Sequence, residues 1–237
     1  MLQIANYTDC GGRPYNEDSC RAVSGLTELC LVVADGLGGH GGGELASSAA
    51  TEKICLTWNG QADKLRLVDR IQQANKAVLE LQTPACAMKT TVVVLELDKE
   101  NAVWAHVGDS RLYHFFNGKI ISQTRDHSVA QMSVMLGDIT PDQIRFHPDR
   151  SRVLRALGQK DALKVDCKEA QLEKGRHAFL LCTDGFWEYV LENEMEEDLG
   201  KAASPDEWLS LMRKRLGERI PEDNDNNTAA AVWLTIA

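Results

Sequence analysis

Hydrophobic and polar positions along the chain change period several times. Residues 2–8 alternate, and residues 28–35 form an unbroken apolar run of strand length. Residues 43–58, rich in alanine and polar helix formers, predict a helix. Residues 64–82 predict another, with Leu65, Val68, Ile71, Ala74, Val78 and Leu81 on one stripe. A block of strands follows at 90–98 and 101–107, parted by Lys99-Glu100. Strands 111–116 and 119–123 are joined by Asn117-Gly118, a strong hairpin signal. Residues 127–136 read as a short helix and 137–150 as an irregular surface segment. Strands return at 163–169 and 178–184. Ser204-Pro205-Asp206-Glu207 has capping-box spacing with proline at the first helical position and starts a last long helix; 228–236 closes as a strand. Early helices, a run of antiparallel strands and late helices predict an α+β fold with segregated layers rather than a doubly wound parallel sheet.

Three of these apolar segments adjoin an aspartate: Leu29 to Ala34 leads into Asp35-Gly36, Phe179 to Thr183 into Asp184-Gly185, and Asp225 precedes the strand at 228–236. Carboxylates at the ends of buried strands are costly unless something positive sits among them. Brought together by one sheet system, they would form an oxygen-rich pocket for hard divalent cations. The expectation is a hydrolase whose chemistry is carried by metal ions.

A single aspartate in an acid-rich chain is most often a solvated surface residue, so position carries the weight. Gly36 and Gly185 would let the backbone turn sharply after Asp35 and Asp184. Asp109, in Val107-Gly108-Asp109-Ser110-Arg111, sits at a tight turn between strands. There a ligand and an ordinary turn residue bonding its own backbone carry equal weight. Near the N-terminus, the loop acids Glu17 and Asp18 are usually just solvated, and Arg13 could be a plain surface charge. The functional alternative gives Glu17 to a metal and Arg13, with its planar fork, to an anionic substrate oxygen.

Other motifs fail on spacing. Residues 36–43 are glycine-rich, but no Gly-Lys-Ser/Thr follows. Residues 223–227 imitate a calcium loop, yet Thr228 and Leu234 stand where that loop needs Gly and Glu. There is no G-x-S-x-G elbow and no Cys-x5-Arg phosphate cradle. His127-Ser128 could be half of a serine dyad, but a structural histidine at a helix start is the expectation.

Composition narrows the class further. The length, 237 residues, suits one domain spanning 1–237. A net charge of −9 disfavours nucleic acid and anionic membranes as partners. Seven cysteines, odd in number and without C-x-x-C spacing, predict reduced thiols in a cytoplasmic protein. No leader-like or membrane-spanning stretch is recognisable, so the chain is expected to be neither exported nor anchored, with no regulatory tail.

Taken in order, Arg13 with Asn16-Glu17-Asp18, Asp35-Gly36-Leu37-Gly38-Gly39-His40, Thr90-Thr91, Gly108-Asp109-Ser110-Arg111, Asp126-His127-Ser128, Asp184-Gly185 and Asp225-Asn226 resemble the metal-dependent serine/threonine protein phosphatases of the protein phosphatase 2C family, in their short bacterial form. The resemblance covers essentially the whole chain. It implies an α-β-β-α sandwich of two antiparallel sheets with helices outside, and a site for two Mg²⁺ or Mn²⁺ ions at one end. It implies that Asp35 bridges both ions, that Glu17 and the Gly36 carbonyl complete one site, and that Asp184 and Asp225 complete the other. Asp18 would hold a metal-bound water, and Arg13 the phosphate. A third, weaker ion would use Asp109 with Asp184 and Glu188. The reaction implied is hydrolysis of phosphoserine and phosphothreonine on partner proteins by a hydroxide bridging the ions, opposing a bacterial Ser/Thr kinase, in a monomer.

This chain departs from the family pattern at named positions. Leu37 replaces the histidine that eukaryotic members carry as a proposed general acid; bacterial members often have methionine there. His40, nearby, is expected to be a loop residue. Glu188 replaces the usual aspartate, and Lys89 the usual glycine before Thr90-Thr91. Residues 137–150 correspond to the family's flap beside the active site, as a substrate selector or a plain surface loop. A catalytically silent module of the same fold is disfavoured because Glu17, Asp35, Asp184 and Asp225 are all retained. A small-molecule phosphatase is left open.

Overall fold

The computed structural model describes residues 2–38 and 41–237; His40 and Gly39, part of the glycine-rich motif, lie outside the described residues. One sheet orders its strands β1 (Gln3–Asp9), β11 (Asn227–Ile236), β10 (Gly175–Cys182), β7 (Arg111–Phe116), β8 (Lys119–Gln123). The other orders β2 (Asp18–Ser24), β3 (Glu28–Leu37), β5 (Val92–Asp98), β6 (Asn101–Val107), β9 (Asp166–Gln171), with the two-residue β4 (Lys89–Thr90) paired to the end of β3. All of these pairings are antiparallel.

The unbroken apolar runs are explained by burial on both faces. Leu29, Leu31 and Val33 of β3 meet Phe179 and Leu181 of β10 and Ala230 and Val232 of β11 between the sheets. The alternate residues Cys30 and Val32 face helices α1 (Gly43–Thr57) and α2 (Lys64–Leu81). On the other side, Leu180 and Cys182 of β10 pack against α4 (Asp184–Trp187), α5 (Glu192–Lys201) and α6 (Pro205–Gly217). The expected four layers, helix, sheet, sheet and helix, are therefore present. A continuous apolar strand usually signals a parallel sheet; here double coverage of antiparallel sheets produces the same pattern.

Several local expectations are corrected. The buried stripe of α2 is Leu67, Ile71, Ala74 and Val78, while Leu65 is 82% exposed. The inward face is rotated because Arg70 also points in, to pair with buried Glu96 at 2.6 Å. The strand expected at 90–98 splits. Thr90 pairs with Gly36 and with Leu157, and β5 starts at Val92. Lys89, the departure from the family pattern, lies in β4 opposite Leu37. β9 starts at Asp166 rather than 163, and β10 ends at Cys182, so Asp184 opens α4 instead of closing a strand. Helix α5 has no counterpart among the predicted elements.

Residues 137–150 are not simply an irregular surface segment. After α3 (Val129–Leu136), capped by Ser128, they contain a 3₁₀ turn at Pro141–Phe146 with Ile144 and Arg145 buried. The Arg145 guanidinium donates to the Trp187 carbonyl at 2.8 Å and to Glu192 Oε2 at 2.6 Å. The segment is thereby pinned to the far side of α4. The capped start of α6 is as expected: Ser204 Oγ accepts from the Glu207 N–H at 3.1 Å.

Candidate active site

Strand parity places the chemistry. Odd residues of β3 face the space between the sheets, so Asp35, following Leu31 and Val33, enters that space at its end. In β2, Cys20 packs toward the same core, and Asp18, two residues earlier, points the same way. The ladder sets Asp18 directly opposite Asp35. From the other sheet, Thr183 Oγ1 donates to Asp18 Oδ2 at 2.9 Å and itself accepts from the Thr228 N–H at 3.0 Å. Among the described residues, Asp18 Oδ1 is buried without a partner.

Asp35 is fastened through its backbone. Its N–H donates to Thr91 Oγ1 at 3.0 Å, and its carbonyl accepts from the Thr91 N–H at 2.8 Å and from Thr90 Oγ1 at 2.9 Å. The sharp turn expected at Gly36 is absent, because β3 runs on to pair with β4. Glycine is needed there for close approach instead: a Cβ would lie 2.3 Å from the Gly43 carbonyl oxygen. The Glu17 carboxylate lies against the backbone of Gly38 and Gly43 at the N-terminus of α1, where a Cβ on Gly43 would come within 2.8 Å of it, and the amides there favour its charged form.

Asp109 is buried at the turn before β7, close enough to Asp184 to feel its charge. Its loop is held from behind. Trp187 Nε1 donates to the Asp109 carbonyl at 3.0 Å, and His127 Nδ1 accepts from the Gly108 N–H at 3.1 Å. Arg111 forks onto Asp126 with two bonds of 2.8 Å and lies over the Trp187 ring at 3.5 Å. His127 is accordingly structural, preceding the helix as expected.

Asp225 Oδ2 accepts from Arg13 Nη2 at 3.1 Å, with both side chains about half exposed. Asn226 ties this corner together: its Oδ1 accepts from the Glu17 N–H, and its amide donates to the Cys10 and Tyr15 carbonyls. Sequence motifs do not single out Thr183 or Asn226 as fasteners. Each neighbours a predicted ligand, Asp184 or Asp225, and that adjacency is the only signal available.

Arg13, Glu17, Asp35, Asp109, Asp184 and Asp225 line one cleft of about 450 Å³, together with Gly36 and the apolar Leu37. Asp18 lies behind it. Glu188 lies to the side, paired with Arg150 at 2.8 Å.

The carboxylates crowd one another. Burial, with Asp184 and Asp18 adding to it, pushes the Asp35 carboxyl well above the usual range. Burial and the Asp184 charge do the same to Asp109. Asp18 is pushed up to about 7 by burial, despite hydrogen bonds from Thr228 and Thr183 that favour its charged form. Asp184 is pushed up to about 7 by burial and the neighbouring Glu188 and Asp225. Such a cluster is stable as anions only with positive charge among them.

An all-oxygen donor set, an orphaned buried Asp18 oxygen and a backbone closely approached at Gly36 fit hard divalent ions. Among the described residues, no three His, Cys, Asp or Glu side chains already converge to hold an ion as they stand. Glu17 is turned to backbone amides and Asp225 to Arg13, so an ion would exchange those partners for itself.

Known proteins support the same assignment. The family described as Protein phosphatase 2C matches residues 12–224. The serine/threonine phosphatase stp of Listeria welshimeri is 30% identical over 223 residues, covering 90% of this chain and 88% of its own. The crystal structure of serine/threonine phosphatase Stp1 from Staphylococcus aureus superposes with a TM-score of 0.83 at 29% identity, covering 100% of this chain and 96% of that one. The catalytic domain of PstP, solved with two manganese ions, superposes with a TM-score of 0.78 at 28% identity, covering 98% and 97%. With the family match spanning most of its length and the motif residues gathered at one end of the sandwich, this chain belongs to the protein phosphatase 2C family.

Proposed function

We propose that this protein phosphatase hydrolyses phosphoserine and phosphothreonine on partner proteins, using Mg²⁺ or Mn²⁺ held by Glu17, Asp35, the Gly36 carbonyl, Asp184 and Asp225. The observation that carries the reading is the gathering of Glu17, Asp35, Asp184 and Asp225 in one cleft beside Arg13. When bound, divalent ions supply Lewis acidity toward a phosphoryl oxygen and lower the pKa of water.

The chain's own residues do the rest. Arg13, aimed by Asp225, presents its planar fork to the phosphate. Thr183 occupies one oxygen of Asp18, leaving Oδ1 to orient water at the back of the cleft. Leu37 and Val153 supply apolar wall and exclude bulk water. The reading needs no nucleophilic serine or cysteine. A Ser/Thr kinase would supply the substrate, and residues 1–237 would act as one catalytic domain in a monomer. Among the described residues, no helix is long and apolar enough to cross a membrane.

The test is manganese-dependent phosphate release from a phosphothreonine peptide and from p-nitrophenyl phosphate. Chelation and Asp184→Asn should each abolish it in folded protein. Full turnover by Asp184→Asn with unchanged metal content overturns the assignment. Turnover of p-nitrophenyl phosphate alone, with no phosphopeptide hydrolysed, favours a small-molecule substrate instead.

A further inference from the structure

Glu188 ends the short α4, one turn after Asp184, whose carbonyl accepts its N–H at 2.9 Å. Its carboxylate does not stand free beside Asp184 and Asp109. It is only 11% exposed and meets Arg150 Nε at 2.8 Å. Arg150 closes the segment 137–150, whose root Arg145 anchors against Trp187 and Glu192. The residues just after Arg150, Ser151 and Val153, line the cleft. A guanidinium therefore already stands at the edge of the acidic cluster, carried by a segment that Arg145 anchors.

Side-chain length is part of the device. Glutamate reaches one methylene further from the backbone than aspartate, and here that reach ends on the Arg150 guanidinium, with the carboxylate still near enough to Asp184 to act on it. Asp225 and Arg13 are each about half exposed and can part at little cost, but Glu188 is far more enclosed, so a divalent ion shared by Asp184 and Glu188 would have to expel Arg150 or sit beside its charge in a poorly solvated place. The ion pair is itself partly buried, so removing one partner would leave an uncompensated charge.

We infer that Arg150 is the built-in counter-cation of Glu188 and takes the place of a third metal ion, so that Glu188 is not a metal ligand in this chain. The inference rests on the reading that the remaining acids hold divalent ions. Arg150 also fastens the 137–150 segment to the rim of the cleft without consuming an ion.

Manganese binding to the full chain, counted from the EPR signal of free Mn²⁺, tests this apart from activity. Wild type and Glu188→Gln should bind the same number of ions. Arg150→Met should bind one more, weakly, and Arg150→Met with Glu188→Gln should return to the wild-type count. Circular dichroism establishes folding, and Arg150→Gln serves if the methionine variant does not fold. An ion present in wild type and lost in Glu188→Gln overturns the inference. So does an unchanged count in a folded Arg150 variant. A wild-type protein that binds no manganese at all overturns both this inference and the metal reading beneath it, whereas the first two outcomes leave that reading standing.

Discussion

Asp18 and Asp35 stand directly opposite each other in the β2–β3 ladder, both turned into the end of the space between the sheets. Like charges at opposed positions destabilise a sheet, and here burial adds to the penalty. On the proposed reading the site needs this pair, and the fold bears its cost.

Neutralising one member should therefore separate stability from activity. In the presence of chelator, Asp35→Asn should melt higher than wild type. Relief of about 1 kcal/mol corresponds to about 2–4 °C for a chain of this size. Added manganese should raise the wild-type melting temperature more than that of the variant, and the variant should release no phosphate. Differential scanning calorimetry with and without metal, beside a phosphate assay, measures both. A chelated variant that melts below wild type contradicts the account.

Arg13 and Asp225 form an ion pair about half exposed on each side, which contributes little to folding. Arg13→Ala should leave the melting temperature near that of wild type. It should raise KM for a phosphopeptide by about tenfold, corresponding to about 1.4 kcal/mol of lost phosphate binding. Arg13→Lys should recover only part of this, since an ammonium lacks the bidentate fork. Steady-state kinetics decides; an unchanged KM removes Arg13 from the substrate.

Arg111 and Asp126 are both fully enclosed, so breaking their pair should be severe. Asp126→Ala is expected to lower unfolding free energy by about 3–5 kcal/mol in urea, because the guanidinium stays buried without its partner. Arg111→Met combined with Asp126→Leu should recover much of that stability. It should not recover the placement of Asp109, whose loop is positioned through Trp187 beneath the guanidinium. A single variant as stable as wild type would show the pair to be dispensable.

Glu194 links α5 to α6 by accepting from Arg215 Nη1 at 3.1 Å and Arg219 Nη1 at 2.7 Å. The Arg219 hydrogen bond is the main cause that pulls its carboxyl down to about 2. A carboxylate depressed in the folded state stabilises fully above its unfolded value, near 4.5, and loses that contribution as pH falls toward 2. Glu194→Gln should thus cost about 1–2 kcal/mol at neutral pH, moderated because Arg219 is 40% exposed. The penalty should shrink below pH 4.5. Urea midpoints of both proteins at pH 7 and pH 3 check this, and a penalty that grows on acidification is the wrong sign.

What the sequence made legible follows from physics acting over short distances. Asn117-Gly118 sets its hairpin locally, and both flanking strands, Arg111–Phe116 and Lys119–Gln123, have the expected bounds. Asp35 is visible because an apolar run ends on a charge. The less legible features depend on partners distant in the chain. Asp184 reads as the end of a strand, since nothing local reveals that Thr183 leaves the sheet to bond Asp18. The stripe on α2 is rotated by a buried arginine whose partner, Glu96, lies on β5. The pairing of Glu188 with Arg150 joins segments with no shared periodicity. The family motifs brought the acids into one list, but which of them face the cleft and which lie behind or beside it is a property of packing.

The alternation that sends Leu31 and Val33 inward is the same one that delivers Asp35 to the cleft. Gaining or losing one residue within β3 would reverse every side chain after it, evicting core leucines and swinging the carboxylate toward the helices. Evolution can then retire this catalyst only by swapping letters in place. Length changes must be confined to the connections, and descendants should keep the spacing from Leu29 to Asp35 even where little else of the sequence survives.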